Sequence, residues 1–301
     1  MDSPVNSKST SNDPVQGCSR SIDDVLPAHA TTDGAGVQLY RSVGSTAYRE
    51  FDPFLMLDEI YTDQPDGYLA GFPDHPHRGF ETVTYMLTGR MHHRDSEGNS
   101  GIIEAGGLQW MTAGSGIIHS EMPQQESGLL HGFQLWINLP AKHKMCPPKY
   151  QEMASAQVPE VQISGGLLRV LAGRFENIDG PIDNPITQPT LFDLNLVPHA
   201  ELTVPLSPTH SCMIYLYRGT AQIGATSWQV RELALLNPDS NSDAVTITAG
   251  SAGCGALLIA AQPLNEPVHR AGPFVMSSPV DLEQAFTDYQ QGRLVTRKQR
   301  L

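Results

Sequence analysis

Two short elements concentrate metal-binding side chains, His75-Pro76-His77 and His119-Ser120-Glu121. Each sets two ligand-capable groups at i and i+2, and on an extended strand those positions share a face. Two such strands meeting inside a barrel would aim three imidazoles and one carboxylate at one point. Three nitrogens and one oxygen suit a mid-row divalent ion, and iron, manganese and nickel all qualify. The competing reading is a pair of turn histidines beside an unrelated His-Ser-Glu. Two features weigh against it. The pairs lie 119 − 77 = 42 residues apart, about what a barrel chain needs to pass through several strands and return. Seven of the eleven histidines also fall between positions 75 and 143. On an octahedral ion, four protein ligands leave two positions for a chelating substrate, or for substrate plus dioxygen.

The surrounding residues admit more than one role. His92 and His93 are candidate extra ligands, but adjacent strand residues face opposite ways, which favours a turn or the cavity rim. His131 reads as a core histidine or as a hydrogen-bond partner for a ligand. Arg78 and Glu81 could pair beside the site or line a strand. Trp110, Met111, Phe54 and Phe133 could form an apolar wall. No Ser-His-Asp set, phosphate loop or dinucleotide fingerprint stands in a usable context.

The elements that must position these groups are short strands. Val37–Val43 alternates in hydropathy. Phe51–Asp58 is apolar and broken by Pro53. Apolar runs at Glu81–Leu87, Leu108–Met111 and Phe133–Leu139 are separated by Gly-rich turns at Gly89, Gly106-Gly107 and Gly114-Ser115-Gly116. Such spacing predicts a sandwich or barrel of the jelly-roll type. From Leu191 the rhythm repeats, with strands expected at Phe192–Val197, Cys212–Tyr217, Ala221–Ile223, Ala244–Ile247 and Ala256–Ala261. Tyr85-Met-Leu-Thr-Gly89 echoes Tyr215-Leu-Tyr-Arg-Gly219, which together with the strand rhythm supports a duplicated barrel. The second copy lacks the ligands: the offsets that lead from Tyr85 back to His75 and His77 lead from Tyr215 to Pro205 and Ser207. One amphipathic helix is expected over 278–289, opened by Ser278-Pro279 and stopped near Gly292. Pro147-Pro148 forbids a long helix near 141–149.

Composition sets the outer bounds. The 301 residues suffice for two domains, and 27 Gly with 23 Pro imply many turns. A net charge of −13 argues against direct binding to nucleic acid. The basic stretch from Arg293 to Leu301 reads as a solvated tail. Cys18, Cys146, Cys212 and Cys254 form no CxxC and read as free thiols in a reducing compartment. Neither a signal peptide nor a membrane-spanning run is visible, so a cytoplasmic monomer is expected. The expected division is a disordered leader 1–19, a metal-binding barrel 20–140, a linker and inter-barrel segment 141–190, and a ligand-free barrel with the tail helix 191–301.

Phe72-Pro-Asp-His-Pro-His-Arg-Gly-Phe-Glu-Thr-Val83 and Gln109-Trp-Met-Thr-Ala-Gly-Ser-Gly-Ile-Ile-His-Ser-Glu-Met-Pro123 closely resemble the pirin family. So do Asp52–Leu55, His131–Asn138 and Gly272–Met276, and the resemblance spans roughly residues 20–300. It implies an all-β bicupin: two antiparallel jelly-roll barrels packed together, with a short C-terminal helix. It implies metal ligation by His75, His77, His119 and Glu121, with iron the usual ion and Mn, Ni, Co or Zn as alternatives. Several members of the family oxidise the flavonol quercetin in a 2,3-dioxygenase reaction. On that reading the partners are a phenolic substrate and dioxygen, and Glu121 is both ligand and catalytic base for the 3-hydroxyl proton. Other members are described as co-regulators of transcription or partners of metabolic enzymes, with iron as a redox switch. That implies a second reading, an iron-dependent sensing module with a protein partner.

Overall fold

The computed structural model describes residues 18–295. Most of the expected leader 1–19, and the tail from 296 onward, lie outside the described residues. Ser19 does not: it bridges to Ala244.

Two large antiparallel sheets dominate. The first has seven strands, ordered Lys149–Met153, Leu108–Thr112, Phe80–Thr88, Leu130–Asn138, Phe54–Thr62, Val37–Arg41 and His29–Asp33. A smaller sheet closes the first barrel, ordered Phe72–His77, Ile117–Pro123, Met91–Asp95 and Ser100–Ile103. The nine-stranded second sheet centres on Ser211–Ile223 and Ala244–Ala261, so strands expected as separate pieces run together. It also recruits Asp24–Pro27, Glu160–Ile163 and Gly166–Ala172, all before Leu191. The 141–190 segment thus supplies strands to both large sheets, because edge strands from one half satisfy backbone groups of the other.

The two large sheets pack face to face. Phe54, Val83, Tyr85, Leu108, Trp110 and Phe133 from the first share one buried cluster with Met213, Tyr215, Leu233, Leu235, Leu257 and Ile259 from the second. Strands buried on both faces read as continuous apolar runs rather than alternating ones. Phe80–Thr88 departs from that pattern: it is buried from Phe80 through Met86, yet Glu81, Thr82 and Thr84 interrupt its apolar run.

The second barrel's own interior is filled by Leu168, Val170, Phe192, Ile214, Leu216, Trp228 and Leu258, among others. Among the described residues none of its histidines, His199, His210 and His269, is fully buried. The helix forms over Pro279–Gln290, with Ser278 as N-cap accepting the Asp281 N–H. Its Phe286 meets Phe274 edge-on at 4.9 Å, which docks the helix on the Phe274–Met276 strand. Arg78 clamps it further, reaching Asp288 at 2.9 Å.

Candidate metal centre

Register brings the chemistry together. In the small sheet His119 stands opposite His75 on one side and Asp95 on the other, while Glu121 stands opposite His93. A register shift between His119 and Glu121 marks a bulge there. Bulges re-aim side chains next to functional sites. Three neighbouring strands therefore turn His75, His77, His119, Glu121 and His93 toward the barrel interior. His77, His93, His119 and Glu121 are 2%, 0%, 1% and 4% exposed.

Two overlapping groups of donors result. His75, His77 and His119 offer ring nitrogens within 4.8 Å of one another, and so do His93, His119 and Glu121 with their ring and carboxylate atoms. Opposite ligands of one ion at about 2.1 Å are about 4.2 Å apart, the scale of this cluster. His119 belongs to both groups, and its two nitrogens differ. Nδ1 lies 3.5 Å from His93 Nδ1, whereas Nε2 is buried with no hydrogen-bond partner. His77 Nδ1 is a second buried orphan, and His75 Nδ1 is taken by the Pro73 carbonyl at 2.8 Å. Buried polar atoms without partners are costly. Here a cation would satisfy them, so the donor set fits one divalent ion. Burial, together with the neighbouring His75, pushes the His77 imidazole well below its ordinary value; burial and the His77 and His75 rings do the same to His119. Both rings stay neutral at neutral pH, as ligation requires.

Strand alternation weighed against His92 and His93 alike, and the structure separates the two. It is His92 that faces outward, bonding Ser100 Oγ at 3.1 Å. His93 points inward between His119 and Tyr150, whose ring stacks on it at 5.1 Å. Asp95, two residues on and therefore on the same face, brings Oδ2 to 3.7 Å from His93 Nε2. The i, i+2 spacing of His93-Arg94-Asp95 carried the same signal as the two ligand pairs. The 3.7 Å separation from Asp95 is too long for a hydrogen bond. His93 Nε2 is therefore a third buried orphan while Nδ1 faces His119, and His93 stands with His119 and Glu121 as a further candidate donor.

Glu121 is held by Thr84, whose hydroxyl lies 2.6 Å from Oε1 and 2.8 Å from Gln134 Oε1. One hydroxyl proton cannot serve two acceptors. Thr84 donates to the carboxylate and accepts from the Gln134 amide, which takes the flipped orientation.

The cluster opens into a cavity of about 600 Å³ lined by His75, His77, Glu121, Gln134 and Trp136. Its apolar walls are Leu39, Met56, Ile60, Phe72 and Trp136. The expected wall is corrected here. Trp110, Phe54 and Phe133 face the second barrel, and Met111 packs with Ala113 and Ile117. Strand parity explains it: Gln134 and Trp136 line the cavity, so Phe133 and Leu135 must point the other way. His131 likewise faces the second barrel, 2.9 Å from Glu59, which also accepts from Tyr215 at 2.8 Å. Arg78 and Glu81 do not pair. Arg78 donates to the Ser115 carbonyl and Asp288, while Glu81 accepts from Thr112, Asn184 and Thr187.

Among the described residues no helix is long and apolar enough to cross a membrane. The Pirin family model matches residues 36–137, and that of the Pirin C-terminal cupin domain matches 191–295. A Pseudomonas aeruginosa protein, named as a candidate quercetin 2,3-dioxygenase, is 44% identical over 283 residues, 91% of this chain and 98% of that protein. A crystal structure of quercetin 2,3-dioxygenase from Acinetobacter baumannii superposes with a TM-score of 0.85 at 29% identity, covering 93% of this chain and 99% of that one. A bacterial pirin from Escherichia coli, solved in complex with nickel(II), shares the fold at a TM-score of 0.63 and 21% identity, over 80% of this chain and 98% of that one. Both barrels are accounted for by a single family, and the chain belongs to it: the pirin family of bicupins.

Proposed function

We propose that the protein is a metal-dependent dioxygenase of the quercetin 2,3-dioxygenase type, acting on a flavonol or a related chelating phenol. In this reading iron is held by His75, His77, His119 and Glu121 in the N-terminal barrel, residues 20–140. One observation carries it: buried ring nitrogens of His77 and His119 have no partner in a cluster that opens onto an apolar-walled cavity. A cavity of about 600 Å³ is of the size that takes a small aromatic ligand. The names of the Pseudomonas and Acinetobacter proteins support the same reaction class.

When bound, the ion would serve as Lewis acid and template for the chelating oxygens and supply the redox chemistry dioxygen requires. The chain's own residues do the rest. Glu121 takes the 3-hydroxyl proton as the flavonol binds, and Thr84 fixes Oε1 so that the proton goes to Oε2. Trp136, Met56, Leu39 and Ile60 receive the flat rings and exclude water. Overall, both oxygen atoms of dioxygen enter the ring system, carbon monoxide leaves and a depside remains.

The test is quercetin consumption by anaerobically iron-loaded protein once oxygen is admitted, with bound iron quantified. Loss of the flavonol absorbance with release of carbon monoxide is expected, and His119→Ala should abolish both. Full iron occupancy in the wild type with no turnover of quercetin or related flavonols would sink the enzymatic reading.

A further inference from the structure

Among the described residues the arginines around the cavity are paired with carboxylates, with one exception. Arg41 grips Asp58 through Nε at 2.7 Å and Nη2 at 2.6 Å, and reaches Asp33 at 2.6 Å. Arg94 holds Asp74 at 3.0 Å. Arg270 lines the same cavity, and no ion pair within 4.0 Å engages it among the described residues. Its guanidinium lies over the Trp136 ring at 4.8 Å, and Nη1 donates to the Leu55 carbonyl at 2.9 Å. A guanidinium carries five N–H donors, so most of its capacity is uncommitted. Trp136 in turn meets His77 edge-on at 5.2 Å, which sets Arg270 one ring away from the metal cluster.

The position is rigid. Arg270 sits in the His269–Ala271 strand, paired with Phe274–Met276. Phe274 bridges to Arg78, the residue after His77. Stacking on an indole holds the planar cation in place while its edge stays available for hydrogen bonds.

We propose that Arg270 determines specificity by binding an anionic oxygen of the substrate. The preferred substrate is then a chelating phenol that also carries an acidic group beyond its chelating pair. The inference rests on the metal pocket described under the proposed function and narrows its substrate class. A guanidinium that merely balanced Asp33 and Asp58 would stabilise the fold but show no preference among ligands.

Three probes separate these roles: catechol, 2,3-dihydroxybenzoate and 3,4-dihydroxybenzoate. Each is titrated into iron(III)-loaded wild type, Arg270→Gln and Arg270→Lys, and followed by the iron–catecholate absorption band. The carboxylate alters phenol acidity, so the readout is how the acid-to-catechol affinity ratio changes between proteins. For at least one acid that ratio should fall about tenfold in Arg270→Gln, the scale of a charge-assisted hydrogen bond. Arg270→Lys should keep part of it, and added salt should weaken it. A ratio within twofold across all three proteins, with catechol still binding, overturns the role of Arg270 and leaves the metal pocket standing. Iron-loaded wild type that binds no catechol overturns the open-site reading and this inference with it.

Discussion

His77 and His119 show what full burial does to an imidazole. Each is fully enclosed, each presents one nitrogen without a partner, and burial keeps each neutral. The consequence is a pH dependence whose sign follows from linkage. The unfolded chain binds these two protons near pH 6.5, while the fold refuses them until a much lower pH. Between those limits the unfolded state holds more protons, so stability falls as pH drops below about 6.5. The slope is at most about 1.4 kcal/mol per histidine per pH unit. Urea unfolding of metal-free protein between pH 7 and pH 5 should show this loss, and His119→Gln should flatten it. An identical slope in the variant would mean that His119 is not a buried neutral imidazole.

At the scale of elements, the convergence of the two i, i+2 pairs, the jelly-roll rhythm and the tail helix were legible because each rests on a local rule. His75/His77 and His119/Glu121 follow the two-residue strand period, and Ser278-Pro279 is a capping signal. Which face of a strand looks where was not legible for the central strands. Phe54–Thr62 and Leu130–Asn138 are buried on both sides, so hydropathy does not separate Trp136, in the cavity, from Phe133, at the barrel interface. Pairing across the halves was hidden too, since Asp24–Pro27 meets Glu232–Leu236 some two hundred residues away. His93 was visible in principle, as the start of a third i, i+2 pair with Asp95. The Met91–Asp95 strand sets the imidazole against His119 Nδ1 and so leaves Nε2 as the free nitrogen of His119. A partner of this kind usually contributes 10- to 100-fold in metal affinity. Replacing His93 with Phe should weaken iron(II) binding by about that factor without unfolding the protein, as read by competition with a chelator. Unchanged affinity would show that the contact orients nothing.

At the scale of the whole molecule, the C-terminal barrel is bound to the N-terminal barrel by chemistry as well as by packing. Tyr85 of the first sheet donates to Asp193 of the second at 2.7 Å, and Arg169 donates to Tyr85 at 2.9 Å. Glu59 of the first accepts from Tyr215 of the second. These bonds lie within the shared apolar cluster, where an abandoned partner costs about 1–3 kcal/mol. Tyr85→Phe should therefore lower the stability of the chain by that amount while calorimetry still shows a single transition. Two separated transitions would contradict one continuous core. The second barrel covers the apolar back of the sheet whose front carries Thr84, Gln134 and Trp136, so the cavity depends on it for its shape. The most direct test of the central claim is anaerobic titration of metal-free protein with iron(II), bound metal being quantified for wild type, His77→Ala and Glu121→Ala. The account predicts one iron per chain in the wild type, none retained by His77→Ala, and weakened binding in Glu121→Ala. Undiminished stoichiometry and affinity in both variants would contradict it.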